Sequence, residues 1–147
     1  MGRQQFEEIV DIKIPSSTRH LHTMRTLTRI LAESMGFDRK DSDGAALAVE
    51  EALTNVIEHS YHGEEGRKMH VIFELDDEKF TVRILHQGEQ IEISNLSNSD
   101  DWTAFQKQKK KGGLGILLMK KCMDEVIYKT GPRQNECCMV KYLRKEP

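Results

Sequence analysis

"EEALTNVIEHSYHG", residues Glu50–Gly63, is the stretch on which the reading of this chain turns. Placed at about 100° per residue, Ala46, Val49, Leu53, Val56 and Ile57 share one side of a helix and form a core-facing stripe. Glu51 and Asn55 are about one turn apart, so they are neighbours, and they lie away from the centre of that stripe. Ala48 and Ala52 are on the same side as Asn55, while Thr54 and Glu58 turn further towards solvent. Alone, the acid and the amide read as a solvated pair beside tolerant alanines, because charged groups on helices usually face water. The sharper reading is a half-site, since small residues beside a carboxylate and an amide leave room for a ligand.

"KKKGGLGILLMKK", Lys109–Lys121, supplies the other half. Gly112, Gly113 and Gly115 open a helix there, and glycines let a backbone come close to a ligand. A helix N-terminus offers free N–H groups and a partial positive charge, which suits an anion. Lys109, Lys110 and Lys111 add charge beside it. A glycine run or a lysine run is a weak signal by itself. Combined with an acid–amide helix upstream and a long polar loop, they point to a phosphate held under a lid.

The 147 residues suit one domain over 1–147, long enough to bury a sizeable core. Lys and Arg number 22 against 24 Asp and Glu, a net charge of −2, so no global basic field points to nucleic acid. Cys122, Cys137 and Cys138 are odd in number and lack CxxC spacing, which argues against a disulfide framework or zinc cluster and favours a reducing cytoplasm. "MGRQQFEEIVDIKIP" has acids where a secretory signal needs an apolar run, and no stretch approaches the roughly 20 apolar residues of a membrane span. The expectation is a soluble cytoplasmic domain.

"EEIVDIKIP" sets Ile9, Asp11 and Lys13 against Val10, Ile12 and Ile14 and reads as a strand closed by Pro15. In "SSTRHLHTMRTLTRILAESMG", Leu21, Met24, Leu27, Leu31 and Met35 recur at helical steps after hydroxyl capping candidates, and Gly36 ends the run. The second helix is expected at about 41–60. "RKMHVIFEL" and "KFTVRIL", joined by "DDE", alternate as a hairpin. Residues 86–111 are polar and irregular, which gives a lid loop of about 86–113. "GLGILLMKKCMDEV" reads as a third helix, and "VIYKT" and "CCMVKYL" as closing strands around "GPRQN". Helices over one face of a mixed, mostly antiparallel sheet make an α+β, two-layer sandwich.

"AVEEALTNVIEHSYHG" and "KGGLGILLMKKCMDEV" together resemble the two best-marked motifs of the GHKL ATPases, whose Bergerat fold is shared by gyrase, histidine kinases and MutL-type proteins. Within that superfamily the chain is most similar to bacterial anti-sigma factors that are also serine protein kinases. The likeness extends to "IKIPSSTRHLHTMRTLTRILAESMG" and "MDEVIYKTGP". It implies that Glu51 is the general base and that the Asn55 amide oxygen binds Mg²⁺. It also implies that Lys111, Gly112, Gly113, Leu114 and Gly115 close on the triphosphate of ATP, with Lys111 near the γ-phosphate. The implied activity is phosphorylation of a serine on a STAS-domain anti-sigma antagonist. The implied partners are that antagonist and a sigma factor or other regulatory target, in a family that commonly forms homodimers.

Two positions depart from the family pattern. Its first glycine motif begins with an Asp that accepts from the adenine amino group; in "LHQGEQIEI" Gly88 is kept, but His86 stands in the Asp position. A Thr pair that supports adenine is replaced by Cys137 and Cys138, which are weaker hydrogen-bonding groups. Both changes fall at the base end, so weakened ATP binding is expected. A second reading is a partner-switching binding module with a degenerate adenine site. A third, the detached domain of a two-component histidine kinase, finds no helix pair with a phosphoacceptor histidine in the sequence. His59 and His62 read as helix-end residues or a metal pair, and Trp102 and Phe105 as a partner-docking element or packing for the lid. Cys122, Met24, Met35, Met119 and Met123 read as core.

Overall fold

The computed structural model describes residues 7–89 and 113–144. Strand β1, Glu8–Pro15, alternates as its sequence does: Ile9, Asp11 and Lys13 are exposed, and Val10, Ile12 and Ile14 turn inward. Ser17 accepts the Arg19 N–H and opens a 3-10 turn at Thr18–His20, from which α1, Leu21–Met35, continues. Gly36 ends α1 in the left-handed region, with φ 106° and its N–H on the Ala32 and Glu33 carbonyls.

Helix α2, Arg39–Asn55, begins two residues before the start read from the sequence. The cause is Asp38, whose carboxylate accepts the Asp41 N–H at 2.7 Å and caps the first turn. The expected continuation to Ser60 is not α-helical. Val56–Ser60 winds as a π turn, with the Tyr61 N–H on the Val56 carbonyl at 3.0 Å. Val56 and Ile57 are buried nonetheless, so the apolar pattern alone does not distinguish the two windings.

Strands β2, Lys68–Leu75, and β3, Lys79–His86, form the hairpin. Asp76 holds its turn by accepting the Glu78 and Lys79 N–H groups at 2.7 and 2.8 Å. Helix α3, Gly113–Cys122, is shorter than the sequence suggests, because "MDEV" does not belong to it. Met123 and Asp124 bend, and strand β4 already begins at Glu125 (Glu125–Thr130). Strand β5, Asn135–Tyr142, draws the segment into the sheet: the Asp124 N–H reaches the Val140 carbonyl at 2.8 Å, and its carboxylate accepts the Tyr142 N–H at 2.7 Å.

The sheet order is β1-β2-β3-β5-β4, and every pairing is antiparallel. The expected mixed sheet is corrected there: the β4–β5 hairpin places β5 beside β3 and sends β4 to the edge, so no parallel pair forms among the described residues. The inner face carries Met69, Val71, Phe73, Phe80, Val82, Ile84 and Met139, packed with Met24, Val49, Leu53, Val56 and Met119 from the helical layer. Phe73 and Phe80 stack at 6.0 Å between centroids. This α+β sandwich places the C-terminal half of α2, the end of β3 and the start of α3 in one region, which is the region the sequence marked.

Replacing Asp38 with alanine removes the α2 cap, and we expect a loss of about 1 kcal/mol, read as a lower urea midpoint with an unchanged slope. A midpoint equal to that of the parent protein would show that the cap does not hold this end.

Candidate functional site

Glu51 and Asn55 come from the last two turns of α2, and Gly115 from the first turn of α3. The two helices meet at these residues. A Cβ placed on Gly115 would lie 2.6 Å from Glu51 Oε2 and 3.7 Å from Asn55 Nδ2. The glycine is therefore needed for space: a side chain there would displace the carboxylate. The structure thus brings the acid–amide pair and the glycine motif together. Gly113 and Leu114 lie in the same opening turn of α3, while Lys111 and Gly112 lie outside the described residues. Most of the expected lid loop, with Trp102 and Phe105, also lies outside them.

The electrostatics at this junction favour a proton or a cation. Burial raises the Glu51 carboxyl above its ordinary value, and the charges of Glu50 and Glu58 add to that. Arg25 is committed to Glu50, at 3.0 Å. Such a carboxylate is poised to take up a proton nearer neutrality. Asn55 is 4 % exposed, a burial that demands partners for its amide. Its Nδ2 lies 3.8 Å from Met119 Sδ, on which the Tyr128 hydroxyl also converges at 4.0 Å. With the nitrogen so engaged, the amide oxygen is the atom suited to a hard cation.

Tyr128 was not marked by the sequence. It sits on β4 opposite Cys137, and its hydroxyl contacts Cys137, Asn55 and Met119 Sδ beneath the site. Burial pushes this hydroxyl well above the ordinary tyrosine range, so it stays protonated. "VIYKT" hides the role because a strand's register with its neighbour cannot be read from its own residues. The two cysteines part company: Cys137 is buried in the core face opposite Ile84, and Cys138 turns to the outer face opposite Arg83. Burial lifts the Cys137 thiol to about 12, so it acts as a neutral group.

The second cluster lies at the end of β3. His86 is buried, with Nδ1 3.0 Å from the Gln87 carbonyl, and burial lowers its pKa, leaving a neutral ring. Gly88 has φ 93°, and a Cβ there would meet the Ser60 carbonyl oxygen at 2.5 Å. The Ser60 carbonyl, at the C-terminal end of the π turn, accepts the Glu89 N–H at 3.1 Å, which ties the segment after β3 to the end of α2. Tyr61 fastens the same joint, donating to the Lys68 carbonyl at 2.6 Å and accepting the Gln87 N–H at 2.9 Å. His59 is exposed and His62 pairs with Glu89 at 3.2 Å; no cluster of three or more metal-ligating side chains occurs among the described residues.

The family profile of the histidine kinase-like ATPase domain matches residues 14–141, most of the chain. The chain belongs to that family. Similar curated proteins carry the name serine-protein kinase RsbW. The one from Staphylococcus epidermidis is 29 % identical over 97 % of this chain and 92 % of its own length. That from Bacillus velezensis is 28 % identical over 95 % and 88 %. That from Halalkalibacterium halodurans is 27 % identical over 83 % and 76 %. Among the described residues no helix is long and apolar enough to cross a membrane.

The two glycines of this ATPase-family site should answer differently to alanine. Gly88→Ala forces a left-handed residue against a backbone oxygen, so it should cost more than about 1 kcal/mol on urea unfolding. Gly115→Ala meets the end of a flexible carboxylate, so folding should survive while Glu51 is displaced. Equal stability losses would contradict this division.

Glu51 also gives a pH signature. Its folded pKa lies above the unfolded value of 4.5, so its favourable contribution is complete below that value and is lost as pH rises through the folded pKa. Glu51→Gln should therefore gain thermal stability over the parent progressively from pH 4.5 towards neutrality. A melting-temperature difference that does not grow with pH would remove the strain assigned to Glu51.

Proposed function

We propose that this chain is an ATP- and Mg²⁺-dependent serine protein kinase of the anti-sigma regulatory type, active in the cytoplasm. The observation that carries the reading is the closure of Gly115 on Glu51 and Asn55, where a backbone approach, a strained carboxylate and a buried amide share one place. The name of its relatives, serine-protein kinase, supports the choice of acceptor.

The residues present fit the nucleotide and the metal. Mg²⁺, when bound, neutralises phosphate charge, and Asn55 Oδ1 is the protein oxygen that would hold it. Glu51 accepts the proton of the attacking seryl hydroxyl as the new oxygen–phosphorus bond forms and the bond to the ADP oxygen breaks. Its raised pKa suits that role, since burial makes the proton welcome. Gly113, Leu114 and Gly115 place the first N–H groups of α3 towards the phosphates. Gly112 and Lys111 extend this grip, with the lysine at the γ-phosphate. His86 and Gly88 form the base end. The substrate is a STAS-domain anti-sigma antagonist, and the second partner is a sigma factor or another regulatory target.

A second reading, a partner switch with little catalysis, is favoured by one feature: the base end offers a neutral imidazole and a thiol at His86 and Cys137 in place of charged or hydroxyl groups.

Transfer of labelled γ-phosphate from MgATP to a purified STAS-domain antagonist separates the two. Glu51→Gln should bind nucleotide as the parent does and lose about 10²–10⁴-fold in transfer rate. Transfer unchanged in Glu51→Gln would reject the catalytic role, and no transfer by the parent protein would favour the switch.

A further inference from the structure

The Asn55 amide has two unlike ends, and the groups around it favour one of them. Its Nδ2 lies 3.8 Å from Met119 Sδ. A thioether sulfur accepts a hydrogen bond and has no hydrogen to give. It therefore selects the amide nitrogen and offers the oxygen nothing. Met119 is fully buried and stands four residues beyond Gly115, on the same face of α3. The amide nitrogen also lies 3.7 Å from where a Gly115 Cβ would stand. One face of one helix thus gives the amide both its space and its direction.

Tyr128 adds a second constraint, from the sheet. Its ring packs against the core from β4, opposite Cys137. Its hydroxyl reaches the same Met119 sulfur, at 4.0 Å. That sulfur only accepts, so the hydroxyl hydrogen points at it and the hydroxyl oxygen keeps its lone pairs for a donor. A phenylalanine would fill the same space without a polar atom to desolvate. Sulfurs are weak partners for a hydroxyl, and the stronger polar group beside it is the Asn55 amide. Both groups at that buried end of the amide are therefore acceptors.

We propose that Met119 and Tyr128 are positioning residues: they hold the Asn55 amide with its nitrogen towards α3 and so keep its oxygen for the divalent cation that accompanies the nucleotide. This rests on the nucleotide-site reading above. An amide free to turn would as often offer its N–H end, and a hard cation binds only the oxygen. Neither residue meets the cation itself. Both act through Asn55, in the way that outer partners orient a metal ligand.

The test is calorimetric titration of the full chain with ATP, once in excess Mg²⁺ and once in EDTA, on the parent protein, Met119→Leu and Tyr128→Phe. Met119→Leu keeps most of the volume and loses the sulfur, and Tyr128→Phe loses one oxygen. The ratio of the two affinities reads what the metal contributes. In both variants, shown to be folded by circular dichroism and melting curves, affinity in EDTA should match that of the parent, while the gain from Mg²⁺ should fall by about tenfold. A merely structural role would lower stability, or both affinities together, and leave the ratio unchanged. If Met119→Leu does not fold, Tyr128→Phe decides alone. A ratio at the parent value in either folded variant overturns the inference and leaves the nucleotide-site reading intact. A parent protein that binds no ATP, or whose affinity gains nothing from Mg²⁺, overturns the metal-site reading and this inference with it.

Discussion

The close approach of α3 to α2 at Gly115 is the constraint on which the rest of the site depends. With only a hydrogen on its Cα, Gly115 lets the start of one helix press against the Glu51 carboxylate and the Asn55 amide of another. The consequences follow in order. Glu51 loses water and its carboxyl pKa rises, and Asn55 is buried and needs Met119 and Tyr128 as neighbours. A larger residue at 115 would disturb this chain of effects at its origin.

Features that work against stability gather on one side of the molecule. Glu51 is desolvated beside Glu50 and Glu58, Ser60 and His86 hold unpaired buried atoms, Gly88 is left-handed, and α2 finishes as a π turn. The opposite end of the sandwich shows ordinary economy: a capped helix start at Asp38, an Asp76 turn, and stacked Phe73 and Phe80. Strain of this kind persists where the surrounding packing over-determines it. Here the over-determination comes from Leu53, Val56 and Met119, all fully buried directly beneath the site.

Much of this was legible in the amino-acid order, for a physical reason. Period and punctuation are local, so the α1 stripe ending at Gly36, the β2–β3 alternation and the α2 stripe through Val49 and Leu53 read correctly. The pairing of "EALTN" with "GGLG" was also legible, because each carried chemistry that the other completed. What stayed hidden is non-local or depends on winding. The π turn keeps Val56 and Ile57 buried as an α-helix would, so nothing in "VIEHS" announces it. "MDEV" has a helix-like composition, yet the pull of β5 on Asp124 turns it into a bend and a strand. Tyr128 and Ser60 look unremarkable until strand register and the π turn set them under Asn55 and beside the end of β3. Adjacent Cys137 and Cys138 read as a pair, but alternation along β5 sends them to opposite faces.

The measurement that meets the central claim most directly is calorimetric titration with ATP, with and without Mg²⁺, on the parent protein and on Asn55→Ala. If Asn55 supplies the metal's protein oxygen, as proposed, Mg²⁺ tightens ATP binding to the parent protein and this gain disappears in the variant. Binding that is absent, or that gains equally from Mg²⁺ in both proteins, would contradict it.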